Sequence, residues 1–309
     1  MQSKCKVKVG ISPLTKADGD TALSDIDKAN TLNKSFASVF TKENLENLPS
    51  ISIANWSDGK TITDLVVTPE AVENKLKMLN VNEAEGPDNI HPRILKELSK
   101  ELSVPFSILF NKSLEMEIVP TEWKNAYVTA LFKKGTKSDP GNYRPVSLTS
   151  VPCKVLESII RDVIVDHMTL GKLYTECQHG FRQHRSCITQ LLQVMNYFTN
   201  LLDKGENIDI IYLDFRKAFD SVPHERLLIK LQYYGITGKL LAWIRDFLKD
   251  RKQLVRVGND YSKYTDVLSG IPQGSILGPV LFTIFINDLP QKINSFCKIV
   301  ADDTKIYIF

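Results

Sequence analysis

The chain's last nine residues read Ala301-Asp302-Asp303-Thr304-Lys305-Ile306-Tyr307-Ile308-Phe309. Two adjacent aspartates stand between an apolar run at 296–300 and a second β-prone run at 306–309. That is the pattern of a β-hairpin with a carboxylate pair at its tip. A third carboxylate, Asp214, ends another strand-like run, Ile208-Asp209-Ile210-Ile211-Tyr212-Leu213-Asp214, 88 residues earlier. Strand-borne carboxylates brought together in space can hold two Mg²⁺ ions about 4 Å apart, an arrangement suited to in-line phosphoryl transfer.

Between them lies Ser269-Gly270-Ile271-Pro272-Gln273-Gly274-Ser275-Ile276-Leu277-Gly278-Pro279. Its glycines and prolines are expected to let the backbone approach a ligand closely before a helix begins. Taken singly, each segment also reads as an ordinary turn or a solvated strand end. Their succession along the chain is what separates chemistry from accident.

Composition sets few bounds. The 309 residues are 43% hydrophobic and 24% charged, ordinary values for a globular chain with a sizeable core. Net charge is only +3, so global charge does not announce nucleic acid. Its distribution says more: residues 122–185 hold ten Lys/Arg against six Asp/Glu, and 245–263 hold six against three. Such local excesses suit a phosphate backbone or a mixed-charge surface equally. The five scattered cysteines and the lack of a signal peptide point to free thiols in a reducing compartment. Cys177, His179, His184 and Cys187 match no standard zinc spacing. No apolar run is long enough to span a bilayer, so no membrane partner is expected.

Periodicity supplies the elements. Residues 1–20 read as a poorly ordered lead-in and 45–66 as irregular. Ile26, Ala29, Leu32, Phe36 and Phe40 recur at helical spacing. Thr68-Pro69-Glu70 opens a second helix, with Thr as cap and Pro in the first turn. Further helices are expected over 92–98, 105–114, 152–167 and 275–289, and over 227–248 with a break near Gly235. Ser186 caps another, whose core face is read as Ile188, Leu191, Leu192, Met195, Phe198 and Leu202. Strands are expected at 127–132 and 208–214, with hairpins at 253–257/264–268 and at the C-terminal end. Helices alternating with a few strands, some in hairpins, indicate an α+β fold.

The order of motifs resembles the palm of reverse transcriptases. Asp214 to Pro223 resembles the family's first palm motif, with an aromatic five residues after the Asp. Gly270 to Pro279 resembles its Pro-Gln-Gly segment, and Val300-Ala301-Asp302-Asp303 its aromatic-Ala-Asp-Asp signature, with Val in place of the aromatic. Upstream, Phe132-Lys133-Lys134-Gly135 and Asn142-Tyr143-Arg144-Pro145-Val146-Ser147-Leu148 are similar to its fingers segment, and Gln178-His179-Gly180-Phe181-Arg182 to the motif that follows. Tyr234-Gly235-Ile236 and residues 250–257 fit as well. The spellings are similar to LINE-type (non-LTR) retrotransposon enzymes, in particular the jockey-like branch, over roughly residues 20–309.

The resemblance implies a right-hand polymerase. Residues 1–60 would be linker and N-terminal helix, 61–118 an N-terminal extension, and 119–309 fingers and palm, with the family's primer grip and thumb not in the sequence. It implies RNA-directed DNA synthesis by target-primed copying of element RNA. Partners would be an RNA template, a DNA primer, dNTPs and the endonuclease domain of a parent polyprotein, met in nucleus and cytoplasm. Asp214 and Asp302 would ligate two Mg²⁺ ions, or Mn²⁺ as a substitute, with Asp303 in support and the Phe215 carbonyl completing one shell. Arg144 and either Lys133 or Lys134 would clamp the triphosphate. Phe219 would be the steric gate that excludes a 2′-hydroxyl, and Gln273 would contact the incoming nucleotide or template base. Two other expectations stay open: an inactive retrotransposon-derived fragment that still binds RNA, and another palm polymerase such as a group II intron maturase.

Overall fold

The computed structural model describes residues 10–49 and 61–308. It opens with a small hairpin, β1 (Leu14–Thr15) and β2 (Thr21–Ala22), then helix α1 (Asp25–Ala37). The lead-in was expected to lack order, yet over 10–22 it is held: Leu14 and Ala22 are fully buried. Residues 1–9, and 50–60 of the stretch read as irregular, lie outside the described residues. Ser24 caps α1 by accepting the Asp27 N–H. Ala29, Leu32 and Phe36 face inward as their spacing requires, while Ile26, assigned to the same face, is half exposed.

Four helices follow: α2 (Pro69–Lys77), α3 (Pro92–Glu97), α4 (Ser99–Met116) and the single turn α5 (Thr121–Lys124). Thr68 caps α2, as its sequence announces. Strand β3 (Asn125–Phe132) pairs antiparallel with β4 (Tyr143–Leu148), and helix α6 (Val151–Leu170) runs on from it. Beyond lie α7 (Cys187–Leu202), β5 (Asp209–Leu213), α8 (His224–Tyr233) and α9 (Gly238–Leu248). Strands β6 (Lys252–Val257), β7 (Asp260–Tyr261) and β8 (Thr265–Asp266), helix α10 (Gly278–Phe285), and β9 (Phe296–Val300) with β10 (Asp303–Ile308) complete the chain.

The result is mixed α/β, with two main sheets. One has the order β4-β3-β6-β7, with β8 also on β6. The expected 253–257 hairpin is therefore part of a larger sheet, because β6 also runs parallel to β3. The underside of this sheet buries Val128, Tyr143, Val255 and Val257 against Leu32 and Phe36 of α1. The other sheet has the order β5-β10-β9, all antiparallel, with Leu213 opposite Thr304 and Val300 opposite Asp303. Helix α6 runs through the main core, burying Cys153, Leu156, Ile160 and Ile164 along one stripe.

Two elements depart from expectation. Helix α10 runs only over Gly278–Phe285 where 275–289 was expected; just beyond it the Asn287 amide donates to the Leu173 carbonyl (2.8 Å) and Tyr234 Oη (2.8 Å). Helix α7 presents its apolar stripe outward. Ile188, Leu191, Leu192, Met195 and Leu202 are at least half exposed, and the residues it buries are Gln190 and Val194. Tyr197 stacks on Phe296, and Phe198, the one stripe residue that is partly covered, meets Tyr307, so the sheet takes only an edge of the stripe. Strand β5 is likewise exposed along its length.

Candidate active site

The segments singled out in the sequence converge on one cleft of about 570 Å³. Asp214, Phe215 and Phe219 reach it from the turn after β5, and Asp302 from the turn between β9 and β10. Lys133, Lys134 and Arg144 enter from the β3–β4 hairpin, and Gln273 from the loop before α10. Asp303 is not among the lining residues; it opens β10, exposed, opposite Val300. The pairing of Leu213 with Thr304 is what places the Asp214 turn beside the 301–302 turn.

The hairpin tip is held by a clamp that the sequence did not disclose. Ala301 has a left-handed backbone (φ 56°), a conformation costly for a residue with a Cβ. Gln178, fully buried, pins it: its side-chain oxygen accepts the N–H of Ala301 (3.1 Å) and of Gly180 (2.7 Å). The Ile299 N–H donates to the Cys177 carbonyl (2.9 Å), and the His179 N–H to the Ile299 carbonyl (2.8 Å). The Gln-His-Gly-Phe-Arg segment therefore acts as a parallel bridge alongside β9. His179 is buried with Nδ1 against Thr189 Oγ1 (3.2 Å), and burial pushes its imidazole down to about 4.

Phe219 is braced on two sides. Its ring stacks on Phe282 at 4.3 Å, and Phe181 meets it edge-on at 6.4 Å. Both neighbours restrict the ring's position at the cleft wall.

The 269–279 loop was expected to use its glycines for close approach to a ligand. At two of them the close approach in the structure is to protein backbone, while Gly274 and Gly278 also line the cleft. A Cβ on Gly270 (φ 86°) would stand 2.5 Å from the Asp220 carbonyl oxygen, and one on Gly274 (φ 129°) would stand 2.3 Å from that of Ser147. Backbone bonds close the same seams: Gly270 N–H to the Val222 carbonyl, Ile271 N–H to Phe219 and Ser147 N–H to Gln273, at 2.7–2.8 Å. His224 Nε2 adds a bond to the Gly270 carbonyl (2.7 Å), which makes this histidine a packing residue. Burial lowers its pKa.

Two buried carboxyl groups escaped the sequence reading. Asp220 receives a hydrogen bond from Gln273 Nε2 (2.9 Å), and burial raises its pKa. Glu157 on α6 accepts the N–H groups of Ile276 (2.8 Å) and Leu277 (3.1 Å) just before α10, and burial raises its pKa too. A signal for Glu157 existed: Cys153, Ile160 and Ile164, at helical spacing from it, are all buried.

The electrostatics favour an anion with a cation. Lys133, Lys134 and Arg144 are exposed and form no ion pair among the described residues. Arg216 and Lys217, overlooked in the sequence, also line the cleft. Opposite them, Asp214 and Asp302 are oxygen donors of the kind Mg²⁺ takes, one or two carboxylates with room for substrate phosphate. Among the described residues no group of three or more potential ligands is already drawn together around a metal position. Asp214 and Asp302 both line the cleft, and carboxylate oxygen is the donor chemistry a hard cation takes. No helix among the described residues is long and apolar enough to cross a membrane.

Residues 132–309 match the reverse transcriptase (RNA-dependent DNA polymerase) family. Among curated proteins, the chain is 32% identical over 228 residues to a probable RNA-directed DNA polymerase from transposon BS of Drosophila melanogaster, covering 72% of this chain and 24% of the relative. It is 28% identical to the probable RNA-directed DNA polymerase from the X-element of the same organism, over 91% of this chain and 31% of the relative. Identity to the RNA-directed DNA polymerase from the mobile element jockey is 31%, over 72% of this chain and 24% of the relative. The chain thus spans about a quarter to a third of the length of these relatives.

Proposed function

The chain belongs to the reverse transcriptases of LINE-type, non-LTR retrotransposons, and from that premise we propose that its cleft adds deoxynucleotides to a primer 3′-hydroxyl on an RNA template. The observation that carries this reading is convergence. Eight residues from four separate segments, Lys133, Lys134, Arg144, Asp214, Phe215, Phe219, Gln273 and Asp302, line one cleft of a size suited to a nucleotide.

The residues divide the task by chemistry. Arg144 offers a planar fork that binds two phosphate oxygens at once, and Lys133 or Lys134 a point charge beside it. Because these cations hold no competing salt bridge among the described residues, a triphosphate displaces no ion pair when it binds. Asp214 and Asp302, with the Phe215 carbonyl, would hold Mg²⁺ or Mn²⁺, and Asp303 adds negative charge beside them. When bound, the two ions lower the pKa of the attacking hydroxyl and offset charge on the leaving pyrophosphate. Phe219, fixed between Phe282 and Phe181, closes the space a 2′-hydroxyl would need. Gln273 meets the base or sugar.

In this reading the β5-β10-β9 sheet is the palm, the β3–β4 hairpin belongs to the fingers, and 61–118 is an N-terminal extension. An RNA template, a DNA primer at a nicked target and an endonuclease domain in a parent polyprotein complete the reaction. The test is primer extension by the purified chain on an RNA template with dNTPs and Mg²⁺, beside Asp302→Asn. Extension by the wild type that is lost in the variant supports the reading. No extension by a folded, RNA-bound wild type would refute polymerase activity for this chain.

A further inference from the structure

The mechanism above leaves one buried acid without a task. Asp220 follows the gate residue Phe219 and is 8% exposed, yet it lines the cleft. Its Oδ1 accepts Gln273 Nε2 at 2.9 Å, and its Oδ2 is buried with no hydrogen-bond partner among the described residues. A buried carboxyl oxygen without a partner is costly, so stability alone does not account for this acid.

The backbones on both sides are already fixed. Ser269 Oγ donates to the Asp220 carbonyl (2.8 Å), Ile271 N–H to Phe219, and Ser147 N–H to Gln273. What remains undetermined is which end of the Gln273 amide turns toward the cleft. Oxygen and nitrogen of an amide have nearly the same shape, and only the hydrogen-bond partner distinguishes them. An ionised carboxylate accepts and never donates. With Gln273 Nε2 donating to Asp220 Oδ1 (2.9 Å), the amide oxygen and the second N–H are left for a ligand.

We propose that Asp220 is a positioning residue that orients the Gln273 amide, so that a nucleotide meets its carbonyl oxygen as acceptor. This rests on the polymerase reading and deepens it. The moiety recognised is a hydrogen-bond donor on the incoming nucleotide, an exocyclic base amine or a sugar hydroxyl. Asp220→Asn preserves shape but removes the directing power, because Asn can donate as well as accept and the Gln273 amide is then free to invert.

The test is steady-state primer extension by the full chain, with KM for dNTP and kcat measured separately, for wild type, Asp220→Asn, Gln273→Met and the double variant. Asp214→Asn serves as the catalytic control, and urea unfolding reports the fold of each. The expected result is a rise of about tenfold in KM for each single variant with kcat within about twofold, and a double variant no worse than Gln273→Met alone, the mark of coupled residues. Multiplied effects in the double variant, or a fall in kcat at unchanged KM, would overturn the proposal while leaving the polymerase reading intact. Should Asp220→Asn not fold, Gln273→Met carries the test, and an unchanged KM there overturns it. A wild type that does not extend overturns both.

Discussion

Removing the Glu157 carboxyl should loosen the loop that carries Gln273. Glu157 is fully buried on α6, and its Oε2 takes the N–H groups of Ile276 and Leu277. In Glu157→Ala these two donors lose their only side-chain partner. An unsatisfied buried donor costs about 1–3 kcal/mol, and the lost side-chain volume adds about 1 kcal/mol. The expected loss is about 4 kcal/mol, or a melting temperature lower by about 8 °C for a chain of this size. Glu157→Gln keeps an oxygen for both N–H groups and should cost about 1 kcal/mol. Urea unfolding of the three proteins measures this directly. The two substitutions also separate charge from bonding. Burial raises the folded pKa of Glu157, so its protonated form favours the native state. That contribution is full below about pH 4.5, the ordinary glutamate value, and is lost as pH rises through the folded value. Wild type should therefore lose stability relative to Glu157→Gln as pH climbs through that window. A loss under about 1 kcal/mol for Glu157→Ala, or a wild-type/Gln difference that does not move with pH, would refute the role assigned to this carboxyl.

Gly270→Ala sets a Cβ 2.5 Å from the Asp220 carbonyl at a φ of 86°; it should destabilise by about 3 kcal/mol in urea unfolding, and a loss below about 1 kcal/mol would contradict the close seam. His179, lowered to about 4 by burial, is neutral in the native state. Its contribution is present above about pH 6.5 and lost as pH falls toward 4, so acid unfolding should be shallower in His179→Gln by on the order of 2 kcal/mol over that range. Phe219→Ala should raise ribonucleotide incorporation on the order of tenfold relative to deoxynucleotide in primer extension; unchanged selectivity would remove Phe219 from the gate.

Much of this was legible because the signals are local. The Ser186 cap, the Thr68 cap and the apolar and β-prone runs of β9 and β10 each follow from a few consecutive residues. The order of motifs then named the cleft. What escaped reading is relational. Asp214 and Asp220 lie six residues apart on one turn, and nothing in their spelling says that the first is exposed and the second buried. Gln178 looks like any polar loop residue until Ala301 is found beside it. The stripe of α7 was read correctly as apolar and assigned wrongly to the core, because periodicity defines a face without saying what lies against it. The glycines of the 269–279 loop announced close approach, but sequence cannot tell a ligand from a neighbouring strand.

These residues suggest how short motifs build a precise cleft. Each supplies a residue that faces the cleft and spends a neighbour on another motif. Phe219 faces the cleft while Asp220 holds Gln273; Gln273 faces it while Gly274 lies against Ser147; Asp302 faces it while Ala301 is held by Gln178. The positions of cleft residues are thus set by contacts between motifs as well as by strand pairing such as that of Leu213 with Thr304. A substitution in a seam should displace two motifs at once, and its effects should be coupled to both. The cations of the β3–β4 hairpin are the exception. Lys133, Lys134 and Arg144 are exposed and hold no salt bridge among the described residues, so in the proposed reading their charges are left for a triphosphate.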